Sequence, residues 1–334
     1  MSVTLRDVAK SLGVSTSTIS RTLSGQGRIS PATRKMILDR LQEIGYTPNV
    51  NAQRLASGRA YMIALDFGAN PHLLGDMYFA ELTRGVQEAL RETGYGLLLN
   101  ATGDRLVNLV RSQAVDGIMY FGGEPEEVEK IRWLAAEGMP TVLITHCATP
   151  PAPNFAPVFT DLPKGARAVA DLLVARGHRR IGFIGSYGSD QVLDVFVQRL
   201  AEHGVALRDA DGLLRLVGTD PDAAEEAMAD LLALPYPPTA VFARTDSLAA
   251  AAIRAAHAAG ARVPADVSVV GHDDIAFARL TAPALTTVRI DCTRMGKLAT
   301  EAMRMLLDCP GVAIQPRVVT PELVLRESVA DAPR

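Results

Sequence analysis

VTLRDVAKSLGVSTSTISRTLSG, residues 3–25, decides how this chain begins. Leu5, Val8, Ala9 and Leu12 recur at the spacing of one helix face, and Thr4 is placed to cap its start. Gly13 ends that helix, because only glycine takes a left-handed conformation cheaply there. Ser15 caps a second helix, expected from residue 16 to about 23, with Ile19 and Thr22 or Leu23 facing inward. The stretch Ser24-Gly25-Gln26-Gly27 breaks it. Ser30-Pro31 opens a third helix with a cap followed by proline at the first helical position. Met36, Ile37, Leu41 and Ile44 are expected on its buried side, and Gly45 stops it.

Counted from Leu5, the small Ala9, the turn-forming Gly13 and the apolar Ile19 stand four, eight and fourteen residues on. That is helix-turn-helix spacing: Ala9 allows close approach, Gly13 turns the chain, and Ile19 plugs the space between the helices. The second helix then exposes Thr16, Ser17, Thr18 and Arg21. Its N-terminal end would point at base edges in the major groove. Arg21 can grip a guanine bidentately or take a phosphate; Ser15 and the first helical amides suit phosphate. The alternative is a three-helix bundle used for protein contacts.

Charge separates these readings. Residues 1–60 carry nine Lys and Arg against three Asp and Glu, so this segment is +6 within a chain of net charge −3. A basic head on an acidic body suggests that only the head meets a polyanion.

The 334 residues suggest two or more domains. Apolar residues at 48% and charged ones at 21% suit a globular protein with a sizeable core. Aromatics are only 5%, so aliphatic side chains must fill that core. Cys147, Cys292 and Cys309 form no C-x-x-C pair, and their number is odd; they read as three buried thiols in a reducing cytoplasm. There is no apolar run long enough to span a membrane, and the N-terminal residues lack the features of a signal peptide.

From residue 60 the texture changes to apolar strands alternating with amphipathic helices. Strands are expected at 62–65, 97–99, 117–121 and 141–144, then at 180–184, 214–217, 239–242 and 267–270, with a last one at 318–325. Helices are expected at 79–93, 126–137, 165–176 and 248–260. Such alternation means parallel sheets, and two sets of strands mean two doubly wound subdomains with a ligand site at the carboxyl ends of the strands.

The N-terminal stretch, with ISPATRKMILDRLQEIGYTPNVNAQRLASGR, resembles the lactose-repressor (LacI/GalR) family almost position by position. VDGIM, GHRRIGFIG, PTAVFARTD, RVPADVSVVGHDD and PALTTVRID extend the resemblance through the body. It implies an all-α helix-turn-helix domain at 1–47 and a hinge helix at 48–59. It also implies an effector-binding and dimerising body at 60–334, like a periplasmic sugar-binding protein. Its N-subdomain would span about 60–160 and 291–320, its C-subdomain about 161–290 and 321–334. In the family, paired hinge helices order on operator DNA and drive a leucine into the minor groove. Leu55 is the matching wedge, with Asn49 and Ala52 beside it; the unstacking must be recovered through contacts to bent DNA. No heptad repeat follows the last strand, so no tetramer through a C-terminal coiled coil is expected.

In the effector cleft, the resemblance points to Asp273 of GHDD, Asp161 of VFTD, and Tyr78 and Phe79 of the first lobe. Other positions depart from the common pattern. Val192 stands where an arginine is usual, Thr145-His146 where Asp-Arg is common, and Thr245, preceded by Arg244, where Asn is usual. A stacking aromatic is replaced near Asp220, and an insertion of roughly residues 72–77 precedes Tyr78. The effector reads as a sugar or sugar derivative acting as inducer. The alternative is a co-repressor, or an anionic or non-sugar ligand held by Arg244 and His146.

An enzyme reading finds no support: there is no G-x-S-x-G, Walker A loop or H-E-x-x-H. The glycines of GFIGSYG (residues 182–188) are not a G-x-G-x-x-G, and no histidine has a Cys or carboxylate at ligand spacing. No metal or cofactor is expected. A transport-type binding protein would carry a signal peptide and would lack residues 1–58. The expected partners are therefore double-stranded operator DNA, a small effector and a second copy of the chain, in the cytoplasm.

Overall fold

The computed structural model describes residues 5–24, 29–44, 57–67, 77–91, 93–100, 106–122, 125–145, 151–186 and 191–333. The chain divides into two compact units, Met1–Arg59 and Ala60–Arg334.

The first unit contains α1 (Leu5–Leu12), α2 (Thr16–Ser24) and α3 (Pro31–Glu43). Its core is small: Val8, Ala9, Ile19, Ile37 and Leu41, with Leu12, Val14 and Ile44 packed around them. Gly13 has φ +63°, and the next amide, of Val14, donates to Ala9 O at 3.2 Å; this is the left-handed turn that joins α1 to α2. Ser30 caps α3, its side chain accepting from the Thr33 amide at 3.1 Å. Met36 departs from expectation, being 42% exposed. Ile37, Leu41 and Ile44 share one face of α3 at i, i+4 and i+7, and Met36 lies one residue, about 100°, away from it.

The second unit holds two parallel sheets. The first comprises β1 (Met62–Asp66), β2 (Gly96–Asn100), β3 (Gly117–Phe121), β4 (Thr141–Thr145), β5 (Phe155–Thr160) and β11 (Arg317–Val319), in the order β11-β5-β4-β3-β1-β2. Its helices are α4 (Met77–Leu90), α5 (Leu106–Arg111), α6 (Pro125–Ala136) and α11 (Cys292–Asp308). The second sheet runs β7 (Leu214–Leu216), β6 (Ile181–Gly185), β8 (Ala240–Ala243), β9 (Ser268–Val270). With it go α7 (Leu162–Ala175), α8 (Val192–Glu202), α9 (Pro221–Leu232) and α10 (Asp246–Ala258). Strands β4, β6 and β8 are buried at every position, as central strands of a sheet covered on both faces must be. The fold is therefore the α/β body of two doubly wound subdomains that strand–helix alternation implies.

A small antiparallel pair, β10 (Thr287–Arg289) with β12 (Glu322–Val324), lies beside the second sheet. The chain crosses between the lobes three times: after β5, after β10 and after β11. The single strand expected at 318–325 is instead two, β11 and β12, in different sheets. Pro321 sits at the break; without an N–H it cannot continue a ladder. Strands β5 and β10 were not anticipated as such.

The thiols also differ from expectation. Cys292 is buried, but Cys309, at the C-cap of α11, is exposed; a helix end facing solvent offers nothing to cover it. Cys147 lies outside the described residues. Among the described residues no helix is long and apolar enough to cross a membrane.

Candidate functional site

Two surfaces carry the residues singled out above. On the first unit, Ser15 precedes α2 and its Oγ accepts the Thr18 amide at 3.1 Å. The same oxygen lies 2.7 Å from Ser17 Oγ and 2.8 Å from Thr18 Oγ1. Three hydroxyls thus gather at the N-terminus of a helix whose unpaired amides favour anions. Thr16, Ser17 and Arg21 are exposed on the same helix, while Ile19 is fully buried beneath them. This arrangement can donate to phosphates and present short polar side chains to base edges. Thr4, Asn49, Ala52 and Leu55 lie outside the described residues.

The second surface lies where the carboxyl ends of the strands in the two lobes meet. From the first lobe come Tyr78 and Phe79, at the start of α4, packed edge-on with Phe67 and Phe121. Ring centroids are 4.7 Å apart for Phe79–Phe121 and 5.3 Å for both Phe67–Phe79 and Tyr78–Phe79. Thr145 closes β4 and is buried opposite Phe159 of β5. Asp161 occupies the first crossing as the cap residue of α7, and its carboxylate makes no capping bond.

The second lobe contributes Arg244, just past β8, and the segment Gly271–Asp274 past β9. Asp273 is tied to the crossing strand on both sides: its amide donates to Val288 O at 2.8 Å, and its carbonyl accepts the Ile290 amide at 3.1 Å. It does so with φ +110°, a conformation costly for a residue with a Cβ. Its Oδ1 lies 2.9 Å from Nδ1 of the fully buried His272. Arg244 Nη1 lies 3.4 Å from that same imidazole nitrogen. Neighbouring Asp274 differs: it pairs with Arg289 at 2.7 Å and with Arg326 at 2.5 Å.

The charges of these groups act on one another. Burial pushes the Tyr78 phenol well above its usual range; Cys292 and Asp273 add to the shift, and Arg244 opposes it. Burial raises the Cys292 thiol in the same way, with Asp273 and Glu81 adding to it. Asp246, the first residue of α10, is raised by burial and then by Asp273. Its Oδ1 accepts the Thr287 hydroxyl at 2.5 Å and its Oδ2 the Ile275 amide at 2.8 Å. Asp246 is thus a buried strut behind the site.

The structure therefore gathers Tyr78, Arg244 and Asp273, with Phe79 behind Tyr78. Val192 begins α8 and is fully buried in the core of its lobe. Thr245 caps α10, accepting the Leu248 amide at 3.2 Å. Asp220 caps α9, accepting the Asp222 amide at 3.0 Å. His146 lies outside the described residues. His272 and Cys292 were missed; His272 stood beside Asp273 in GHDD, but nothing in the sequence marked Cys292. Among the described residues no cluster of His, Cys, Asp and Glu could hold a metal.

Comparison with known proteins bears on both surfaces. Residues 4–49 match the family described as bacterial regulatory proteins, lacI family, and residues 170–329 match the periplasmic binding protein-like domain. The HTH-type transcriptional regulator DegA of Bacillus subtilis (strain 168) is 32% identical, covering 99% of this chain and 99% of its own. The probable HTH-type transcriptional repressor ExuR of the same organism is 29% identical, covering 98% of each chain. The solved complex of the transcriptional regulator CelR with cellobiose superposes with a TM-score of 0.71 at 28% identity, covering 98% of this chain and 99% of that one.

Proposed function

The chain belongs to the LacI family of bacterial regulatory proteins, as a DNA-binding transcription regulator and not an enzyme, and on that premise we propose that it is a dimeric repressor released from a palindromic operator by a small effector. The observation that carries this reading is the α1–Gly13–α2 turn, with Ile19 buried inside it and Ser15, Thr16, Ser17 and Arg21 outside. One such head reads one half-site, so a palindrome needs two. Leu55, Asn49 and Ala52 would complete the contact from the minor groove. Thr4 would add to it at the start of α1. Apolar side chains left exposed on the body, Leu99 on the edge strand β2 and Leu280 beyond β9, suit a surface shared between two copies.

The effector would sit between the lobes, against Tyr78, Phe79, Thr145, Asp161, Arg244 and Asp273. His146 would join them, whereas Val192, also drawn from the sequence, is buried in the core of its lobe and does not face the site. A sugar or sugar derivative is favoured, since the similar regulator CelR was solved with cellobiose. A ligand that binds one lobe arrangement better than the other shifts operator affinity by that difference and no more. A co-repressor would use the same site with the opposite sign. The protein would act in the cytoplasm, on chromosomal DNA.

Selection from a randomised duplex library with the full-length protein tests this. It should return a palindrome, bound with a steep linear fall of log affinity against log salt. Leu55→Ala should lose that affinity while the body unfolds at an unchanged temperature. Failure to enrich any sequence would overturn the reading. Adding neutral sugars, phosphorylated sugars and nucleobases in turn should change operator affinity by at least a few-fold for one of them, and the sign separates inducer from co-repressor.

A further inference from the structure

Resting on the reading of the first unit as the operator-binding head, we propose that Asp116 is a positioning residue: it fixes where the chain leaves the body toward that head, and operator affinity depends on this anchor.

Asp116, of the stretch VDGIM, stands one residue before β3. Its Oδ1 accepts the Ala60 amide at 2.8 Å and its Oδ2 the Tyr61 amide at 2.7 Å. Those residues lie 56 and 55 positions earlier in the chain. They precede β1, and the ladder between β1 and β3 starts at Ile63 and Gly117, so it does not reach their amides. The Asp116 amide itself donates to Met62 O at 2.8 Å. From the β2 side, the Gly96 amide donates to Tyr61 O at 2.9 Å, and the Tyr61 and Tyr95 rings lie 5.6 Å apart. Residues 60–62 are thus held from both neighbouring strands.

The hold has a visible effect on the backbone. Tyr61 has φ +52°, a left-handed conformation that costs a residue with a Cβ and persists where the surroundings over-determine it. Residues 57–59 are exposed, whereas Ala60 is buried. The change falls at the first residue that the carboxylate holds.

One acceptor would leave the chain free to swivel. Two successive amides converging on the two oxygens of one planar carboxylate fix its direction as well as its place. Ordering a backbone residue costs conformational entropy. With the anchor intact, that cost is met when the body folds. Without it, the cost falls on operator binding, because the head must be delivered in register with base edges. Asp116 stands at the amino end of β3, and the effector residues named above stand at the carboxyl ends, so the anchor can be tested apart from the cleft.

Fluorescence anisotropy with the duplex selected by the wild-type protein tests this, on full-length variants shown to be folded by circular dichroism. Asp116→Asn keeps one acceptor and turns an NH2 group toward the other amide. It should weaken operator binding about tenfold to a hundredfold. Trypsin should also cut faster after Arg59, since the bond to Ala60 must leave its anchored conformation to be cleaved. Asp116→Glu, which keeps both oxygens, should retain more affinity than Asp116→Asn. Should Asp116→Asn not fold, Asp116→Ser replaces it under the same criteria. Val142→Ala, a cavity in the fully buried β4, is the control: it should lower the urea midpoint while operator affinity and cleavage after Arg59 stay as in wild type. Wild-type affinity in folded Asp116→Asn would overturn the inference. So would an equal loss in Val142→Ala, which would make the effect one of stability alone. If the wild-type protein selects no duplex, the operator reading falls and the dependence on the anchor falls with it. Cleavage after Arg59 then reads the anchor by itself, and an unchanged rate in Asp116→Asn would overturn that too.

Discussion

Gly85 and Gly296 face each other where α4 crosses α11, and neither position has room for a side chain. A Cβ on Gly296 would lie 3.0 Å from Gly85 C and 2.7 Å from the Val86 amide nitrogen, and one on Gly85 would overlap the Thr293 carbonyl. The obstacles are backbone atoms, which cannot swing aside as a side-chain tip can. Helix α11 also packs on β3, β4 and β5, so α4, which carries Tyr78 and Phe79 in its first turn, is held through this crossing. Gly296→Ala should lose about 1–3 kcal/mol of body stability by overpacking, read as a lower urea midpoint. An unchanged midpoint would mean that the helices can separate at no cost.

Ile19→Ala should act on the other unit. Ile19 is fully buried in a core that, among the described residues, has four other buried apolar members. Losing it should cost about 2–4 kcal/mol, enough to unfold so small a unit. Operator binding should vanish while calorimetry still detects effector binding by the body. Retained operator affinity would show that the plug between the helices is dispensable.

His178 links stability to pH. It is buried, with Nδ1 2.9 Å from Thr239 Oγ1 and Nε2 3.1 Å from Ala330 O. Burial holds its pKa below the ordinary value of 6.5. The unfolded chain therefore binds the proton more readily than the folded one, and stability falls as pH drops below about 6.5. Residues 329–333, anchored through Ala330, should lose hydrogen-exchange protection as pH drops below that value. His178→Gln should flatten the profile, and an equally steep profile in that variant would remove His178 from the explanation.

The thiols should differ in rate. Cys309 is exposed, whereas Cys292 is buried and its thiol is pushed up by that burial. Reagent attack needs an accessible thiolate. Peptide mapping after brief alkylation of the native protein should find Cys309 modified and Cys292 intact until denaturant is added. Early modification at Cys292 would mean that the two lobes part readily around it.

Much of the architecture was legible from periodicity. The strand at 117–121 is found with those bounds, and most other expected strands differ by a residue at either end. Strand β5 escaped notice because Pro157 interrupts it, and β10 because Val288 is the one apolar residue of its three. Of the interlobe site, Tyr78, Arg244 and Asp273 could be named in advance. His272 and Cys292 could not, because a buried histidine or thiol looks the same in sequence wherever it packs.

The sequence by itself determined the helix-turn-helix. Its turn, plug and caps lie within forty residues, and each depends on local rules: glycine at a left-handed position, a hydroxyl at a helix start, apolar side chains at helical spacing. It also determined that two parallel sheets would follow. Tertiary structure alone decided which residues meet at the mouth of those sheets. Residues 78, 244, 273 and 292 come together because the chain crosses between lobes three times, and no local pattern records where a crossing lands. It decided as well that Asp274 is spent on Arg289 and Arg326, while its neighbour Asp273, at φ +110°, lies against the His272 nitrogen that Arg244 also approaches.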